Sequence, residues 1–111
     1  MEEGINVITL CGSTKFKEEF LRIEQELTWK GNVVISVGGF AHADGIWDKM
    51  TKEKKAEKEK LLAKIHRKKI DMADEIFVIN KNGYIGNSTK TEIQYAKEKN
   101  KKINYLEELK K

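Results

Sequence analysis

The chain has 111 residues, 39% of them hydrophobic and 36% charged, with a formal net charge of +4 and no proline, a balance that suits one compact domain with one core. Its only cysteine, Cys11, excludes a disulfide within the chain and agrees with a reducing, cytoplasmic setting. No apolar run approaches the roughly 18 residues of a membrane-spanning helix, and the opening MEEGINV lacks the basic-then-apolar order of a signal peptide, so no membrane partner is expected.

In chain order, Ile5 to Cys11 is a short apolar, β-branched run ended by Gly12, the pattern of a strand buried on both faces. Phe16, Phe20, Ile23 and Leu27 then recur at helical spacing while Lys15, Lys17, Glu18 and Glu19 occupy the other side, which predicts an amphipathic helix. Gly31 is placed to end it in a left-handed conformation. Asn32 to Val37 reads as a second buried strand, followed by a loop over Gly38 to Met50 that is too long for a simple connection. From about Thr51 a helix begins whose apolar stripe, Leu61, Leu62, Ile65 and Met72, starts late. Residues 51 to 60 have almost nothing to bury and are expected to project, fray or act as a lid.

Glu75 to Asn80 is the third expected strand, Lys81 to Ser88 a glycine-bearing loop, Thr89 to Asn100 a helix with Ile93 and Ala96 inward, and Lys102 to Leu106 a short fourth strand. Alternating strands and helices predict an α/β fold, a small doubly wound, Rossmann- or flavodoxin-like parallel sheet of about four strands with helices on both faces. In such a sheet ligands bind beyond the carboxyl ends of the strands. The loops at those ends, CGSTKF, GGFAHADGIW and NGYIGNSTKTE, hold six of the eight glycines. Glycines let a backbone approach a ligand closely, and the free amides of a following helix attract anions. CGSTK is therefore either a phosphate or sugar cradle or a plain turn in which Ser13 or Thr14 caps the next helix.

Charge is concentrated in one segment. Between Lys49 and Lys69 ten Lys and Arg face three Glu, a pattern that fits a solvated helix face better than a nucleic-acid surface, because no aromatic residues alternate with the lysines. Nucleic acid is not the expected partner. His42, Asp44 and Asp48 lie close in sequence but match no metal-ligand spacing, so neither a metal nor another cofactor is expected. Phe40 and Trp47 suit stacking on a base or packing at a subunit contact, and Cys11 suits a small core position.

The strings ITLCGSTKF, IDMADEIFVIN and GNSTKTEIQYAKEKNKKI, in that order and covering most of the chain, resemble the nucleoside 2-deoxyribosyltransferase family and its relatives, the nucleoside 5′-monophosphate N-glycosidases. The shared features fall on Gly12, on the Ala73-Asp74 pair before the third strand, and on Glu92, Ile93, Tyr95 and Ala96. The resemblance implies that Glu92 attacks the anomeric carbon of a nucleoside or nucleotide while the base departs, because an oxocarbenium-like transition state calls for a nearby carboxylate.

It also implies that the residue eight before Asp74 handles the proton on the leaving base. That position is His66 where the transferases have Asp, and Asp71 is a second candidate on another helix face. Gly86 stands where the relatives carry Asp or a phosphate-contacting Ser, and Asn87 and Ser88 are the available substitutes. A nucleotide phosphate would then meet Ser13, Thr14, Lys15 and Ser88, with Cys11 and Gly12 beside it, and a homo-oligomer with a shared pocket is the expected assembly.

Read without the resemblance, Thr89-Lys90-Thr91-Glu92 is a capping box in which Glu92 only satisfies a backbone amide. In that case the domain is a non-catalytic nucleotide-binding or sensing module.

Overall fold

The computed structural model describes residues 4–109. Four strands, β1 (Val7–Gly12), β2 (Val33–Ile35), β3 (Glu75–Ile79) and β4 (Lys102–Tyr105), form one all-parallel sheet in the order β2-β1-β3-β4. Three helices, α1 (Lys17–Trp29), α2 (Lys52–Asp71) and α3 (Asn87–Glu98), connect them. The chain runs outward from β1 to β2, returns across β1 to β3 and continues to β4. Strand order thus reverses between β1 and β3, the place where open α/β sheets leave a crevice at the carboxyl ends of their strands. The expected doubly wound α/β fold is what the sheet shows.

Alternation along the strands divides the core between the two faces of the sheet. Ile8, Leu10 and Ile79 pack with Phe20 and Ile23 of α1. Cys11, Ile76 and Val78 pack with Ile70 of α2 and with Ile93 and Ala96 of α3. At the amino ends of the strands, the buried Glu75 accepts hydrogen bonds from the side-chain amides of Asn6 and Asn104. Asp74 exchanges hydrogen bonds with the Val7 backbone through its amide and its carboxylate, so this part of the Ala-Asp pair is sheet architecture. At the other end the Asn80 side chain pairs with both backbone groups of Glu107 and prolongs the β4 side of the sheet.

Several boundaries differ from the sequence reading. β2 is three residues long and lies at the sheet edge with Val33 half-exposed, because it has only β1 to pair with. The buried six-residue strand expected over Asn32–Val37 is not formed. Gly31 does end α1, with φ +100°. α2 is helical from its start, where the Thr51 hydroxyl accepts from the Lys54 amide, and residues 51–60 project into solvent as expected.

The stripe read as the buried face of α2 points outward, with Leu61, Leu62 and Ile65 exposed by 50%, 47% and 42%. The buried side chains of α2 are instead His66 and Ile70. The Thr9 hydroxyl fixes that rotation by donating to the Lys69 carbonyl (2.8 Å), while the Lys69 ammonium donates to the Ser36 carbonyl (2.7 Å). Two part-buried tethers on the final turns outweigh an apolar stripe three turns long that has no opposing surface to cover it.

Candidate functional site

At the carboxyl end of β1 three elements bring polar side chains together. Cys11, fully buried, is the last inward-facing side chain of the strand before Gly12. His66 reaches it from α2, with its Nε2 3.3 Å from Cys11 Sγ. From α3 the Glu92 carboxylate approaches to 3.8 Å from the same nitrogen, its side chain only 19% exposed. One donor atom from each of the three residues lies within 4.8 Å of the others, the one such His, Cys and carboxylate group among the described residues.

Burial governs the protonation of all three, since a low-dielectric site disfavours charge. It pushes the Glu92 carboxyl up from its ordinary 4.5 to about 7, opposed by a hydrogen bond from the Cys11 thiol. It presses the His66 imidazole down from 6.5 to about 4, with the Lys69 cation adding to the effect and the Leu10 main chain opposing it. The Cys11 thiol is held well above its ordinary value by burial and then by the Glu92 carboxylate. At neutral pH the cluster therefore holds a protonated thiol and a neutral imidazole, with Glu92 near its titration midpoint. A neutral His66 holds no proton at pH 7 for a leaving base, which would then take its proton from solvent.

The local fold also decides the competing role of Glu92. α3 begins at Asn87 with Gly86 as its cap residue, two residues before the expected start. Thr89 is therefore buried inside the first turn, and Glu92 sits in the second turn, beyond reach of the helix start. The capping box does not form. Glu92 instead flanks the buried row Thr89, Ile93 and Ala96, which turns its carboxylate toward β1 and α2.

Gly12 to Lys15 form the turn after β1. Gly12 has φ +151°, and a Cβ there would lie 2.9 Å from the Ile79 carbonyl oxygen, so glycine is required by the neighbouring strand. Neither Ser13 nor Thr14 caps α1. Its cap residue is Phe16, Ser13 Oγ accepts weakly from the Lys15 amide (3.3 Å), and Thr14 Oγ1 from the His42 amide (3.4 Å). The turn is joined to the loop after β3 by Tyr84, which meets Phe16 edge-on and lies under the Lys15 ammonium, 3.6 Å from its ring centroid. Tyr84 was not among the residues the sequence singled out; the glycines around it, Gly83 and Gly86, were its only signal. Gly86, Asn87 and Ser88 follow at the start of α3, with Asn87 and Ser88 exposed.

The remaining expected residues lie elsewhere. Asp71, at the far end of α2, accepts a hydrogen bond from the Tyr95 hydroxyl (2.6 Å), and the Lys101 ammonium holds the adjoining carbonyls. It sits toward the amino ends of the strands, away from the Cys11-His66-Glu92 cluster, because α2 runs antiparallel to them. Phe40 is partly buried and packed in a T-shaped contact with Phe20 in the α1 core. Trp47 is half-buried in a short 3-10 turn with the Lys55 ammonium 5.8 Å from its ring. Asp44 is paired with Lys17 (3.0 Å) and His42 is exposed, and among the described residues they form no metal-binding group with Asp48.

A cleft of about 290 Å³ opens beside the turn, lined by Lys15, Lys17, Glu19, Asp44 and Lys81 among others. Its cations are largely paired internally, Lys17 with Asp44 and Lys81 with Glu19, each at 3.0 Å. A second, shallow depression lies on the outer side of α2 and α3. Glu92 lines neither of these two; its side chain is partly buried beside Cys11 and His66. No protein-family model matches the chain, and no curated protein or solved structure is significantly similar to it. No helix of the described residues is long and apolar enough to cross a membrane.

Proposed function

We propose that the protein cleaves the N-glycosidic bond of a nucleoside 5′-monophosphate or related nucleotide, with Glu92 as the nucleophile. The single observation that carries this reading is the Glu92 carboxyl group set beside Cys11 and His66 at the switch point of a doubly wound sheet and free of any capping role. The resemblance of GNSTKTEIQYAKEKNKKI to deoxyribosyltransferases and monophosphate N-glycosidases supplies the reaction class.

In this mechanism a Glu92 oxygen bonds to C1′ as the C1′–N bond breaks and the base leaves with the bonding pair and takes a proton from solvent. Water then adds to C1′ as the ester bond breaks and gives up a proton to solvent, leaving the free sugar phosphate and the carboxylate. Transfer to a second base follows the same course with that base in place of water. The phosphate is received by the Ser13 and Thr14 hydroxyls, the Lys15 ammonium and the exposed first turn of α3 at Asn87 and Ser88. Gly86 leaves that turn without the side-chain anion of the transferases, which favours a phosphorylated substrate over a free nucleoside.

The exposed row Leu61, Leu62 and Ile65 on a helix otherwise rich in charge supports a homo-oligomer joined through α2. A reducing cytoplasm is the compartment that suits a buried free thiol.

Incubation with ribo- and deoxyribonucleoside monophosphates, followed by chromatographic detection of free base, tests the activity. Release from at least one substrate, reduced about 1,000-fold or more in Glu92→Gln, is the expected result, in line with loss of a covalent nucleophile. A second reading, a nucleotide sensor without turnover, is favoured by the burial that leaves Glu92 partly protonated at neutral pH and so a weaker nucleophile. It predicts saturable nucleotide binding with no base released from any member of the panel.

A further inference from the structure

The Cys11-His66-Glu92 cluster offers one sulfur, one nitrogen and one oxygen donor from three different elements, converging at the buried end of a strand. We propose that these three side chains bind a single divalent transition metal of the zinc class, with one coordination position left for water.

The spacing fits. Metal–sulfur, metal–nitrogen and metal–oxygen bonds of about 2.3, 2.0 and 2.1 Å in a tetrahedron set neighbouring donors roughly 3.3–3.6 Å apart. The Cys11 Sγ to His66 Nε2 distance is 3.3 Å and that from Nε2 to Glu92 Oε1 is 3.8 Å, and all three donor atoms lie within 4.8 Å of one another, so a rotation of the Glu92 side chain, the most exposed of the three, closes the set to bonding distance. The donor set selects the ion, since a thiol and an imidazole favour zinc, cobalt or copper over magnesium or calcium.

His66 is prepared for the role. Its Nε2 faces the other two donors while the ring also meets the Leu10 main chain, the kind of outer contact that orients metal-binding imidazoles. Binding is balanced in charge. The thiol and the carboxyl give up their protons to solvent, and the resulting thiolate and carboxylate neutralise the divalent ion. Cys11 is fully buried and His66 nearly so, so the ion enters on the side of Glu92.

The inference stands on the three donors and does not rest on the glycosidase reading, although it shares Glu92 with it. A bound metal occupies the carboxylate that the glycosidase mechanism needs free, so metal occupancy and base release exclude each other.

Cobalt(II) titrated into the chelator-treated full chain tests the site without any nucleotide. Since Cys11 is the chain's only cysteine, a thiolate-to-cobalt absorption band can come from nowhere else. The expected result is such a band at one equivalent, displaced by zinc and untouched by excess magnesium. It should be absent in Cys11→Ser, and affinity should fall by at least about 10-fold in both His66→Gln and Glu92→Gln, since even outer-shell contacts are worth 10–100-fold. His42→Ala should bind as the parent does.

Far-UV circular dichroism confirms that each variant is folded. Should Cys11→Ser fail to fold, Glu92→Gln carries the decision, because the change is isosteric and falls on the most exposed of the three donors. Absence of the band in the parent, or undiminished affinity in folded His66→Gln and Glu92→Gln, overturns the proposal. Base release measured in chelator is unaffected by either outcome, so the two readings fail separately.

Discussion

The two faces of the sheet are built on opposite terms. The α1 face is hydrocarbon and aromatic throughout, with Phe20 fully buried among Ile8, Leu10, Ile23 and Ile79 and touched edge-on by Phe40. The α2/α3 face buries a thiol, an imidazole and a carboxyl at its carboxyl end, while three large apolar residues of α2 remain outside. Where a fold places polar groups under cover and leaves apolar ones in solvent, stability has been given up for something else. Both faces hold a buried core, but only the α2/α3 face also buries a titratable cluster at the carboxyl end of the sheet.

Breaking the α1 face should produce the largest effect. Phe20→Ala removes the biggest fully buried side chain and is expected to lower unfolding free energy by about 3–5 kcal/mol, the usual range for a core phenylalanine, as read from urea denaturation. The opposite face should respond with the opposite sign. In chelator-treated protein at pH 8, Glu92→Gln is expected to raise stability by up to about 3 kcal/mol, because the burial that lifts Glu92 from 4.5 to about 7 is a penalty on its ionised form.

The same variant changes the pH profile. Glu92 keeps its proton in the fold up to about pH 7 but loses it near 4.5 when unfolded, so its contribution falls as pH rises through that window. His66 accepts a proton in the fold only near pH 4 but near 6.5 when unfolded, so its contribution rises with pH between those values. The two slopes cancel from about pH 4.5 to 6.5 in the parent. Glu92→Gln leaves the His66 slope alone, and stability should then climb by about 1.4 kcal/mol per pH unit between roughly pH 4 and 6.5. A flat profile in the variant would mean that His66 is not buried neutral.

Smaller effects sharpen the contrast. Gly12→Ala places a Cβ against the Ile79 carbonyl between the two faces and is expected to cost about 1–3 kcal/mol. Leu61→Ser, on the outward stripe, should change the unfolding free energy of the monomer by less than about 0.5 kcal/mol. Sedimentation should show that same change weakening self-association, and an unaltered oligomeric state would remove α2 as the contact.

Much of this contrast was legible from the residues and part was not. The apolar runs of β1 and β3, the Gly31 stop and the alternation of elements are local patterns, and local patterns survive folding. β2 was overread because a β-branched run does not say how many neighbours a strand will have. The rotation of α2 was misread because Leu61, Leu62 and Ile65 advertise a buried face, whereas two hydrogen bonds involving Thr9, Lys69 and Ser36, distant in sequence, set the helix the other way. Glu92 and His66 were visible one at a time. Their meeting with Cys11 joins residues 55 and 81 positions apart, and no spacing within a single element could announce it.

The central claim is that the Glu92 carboxylate forms a bond to a sugar carbon. Acid-quenched protein from a nucleotide digest, examined by peptide mass spectrometry, tests it most directly: the account predicts a glycosyl adduct on the peptide containing Glu92 that vanishes in Glu92→Gln. Base release that continues undiminished in Glu92→Gln, or an adduct carried by a different residue, would contradict it.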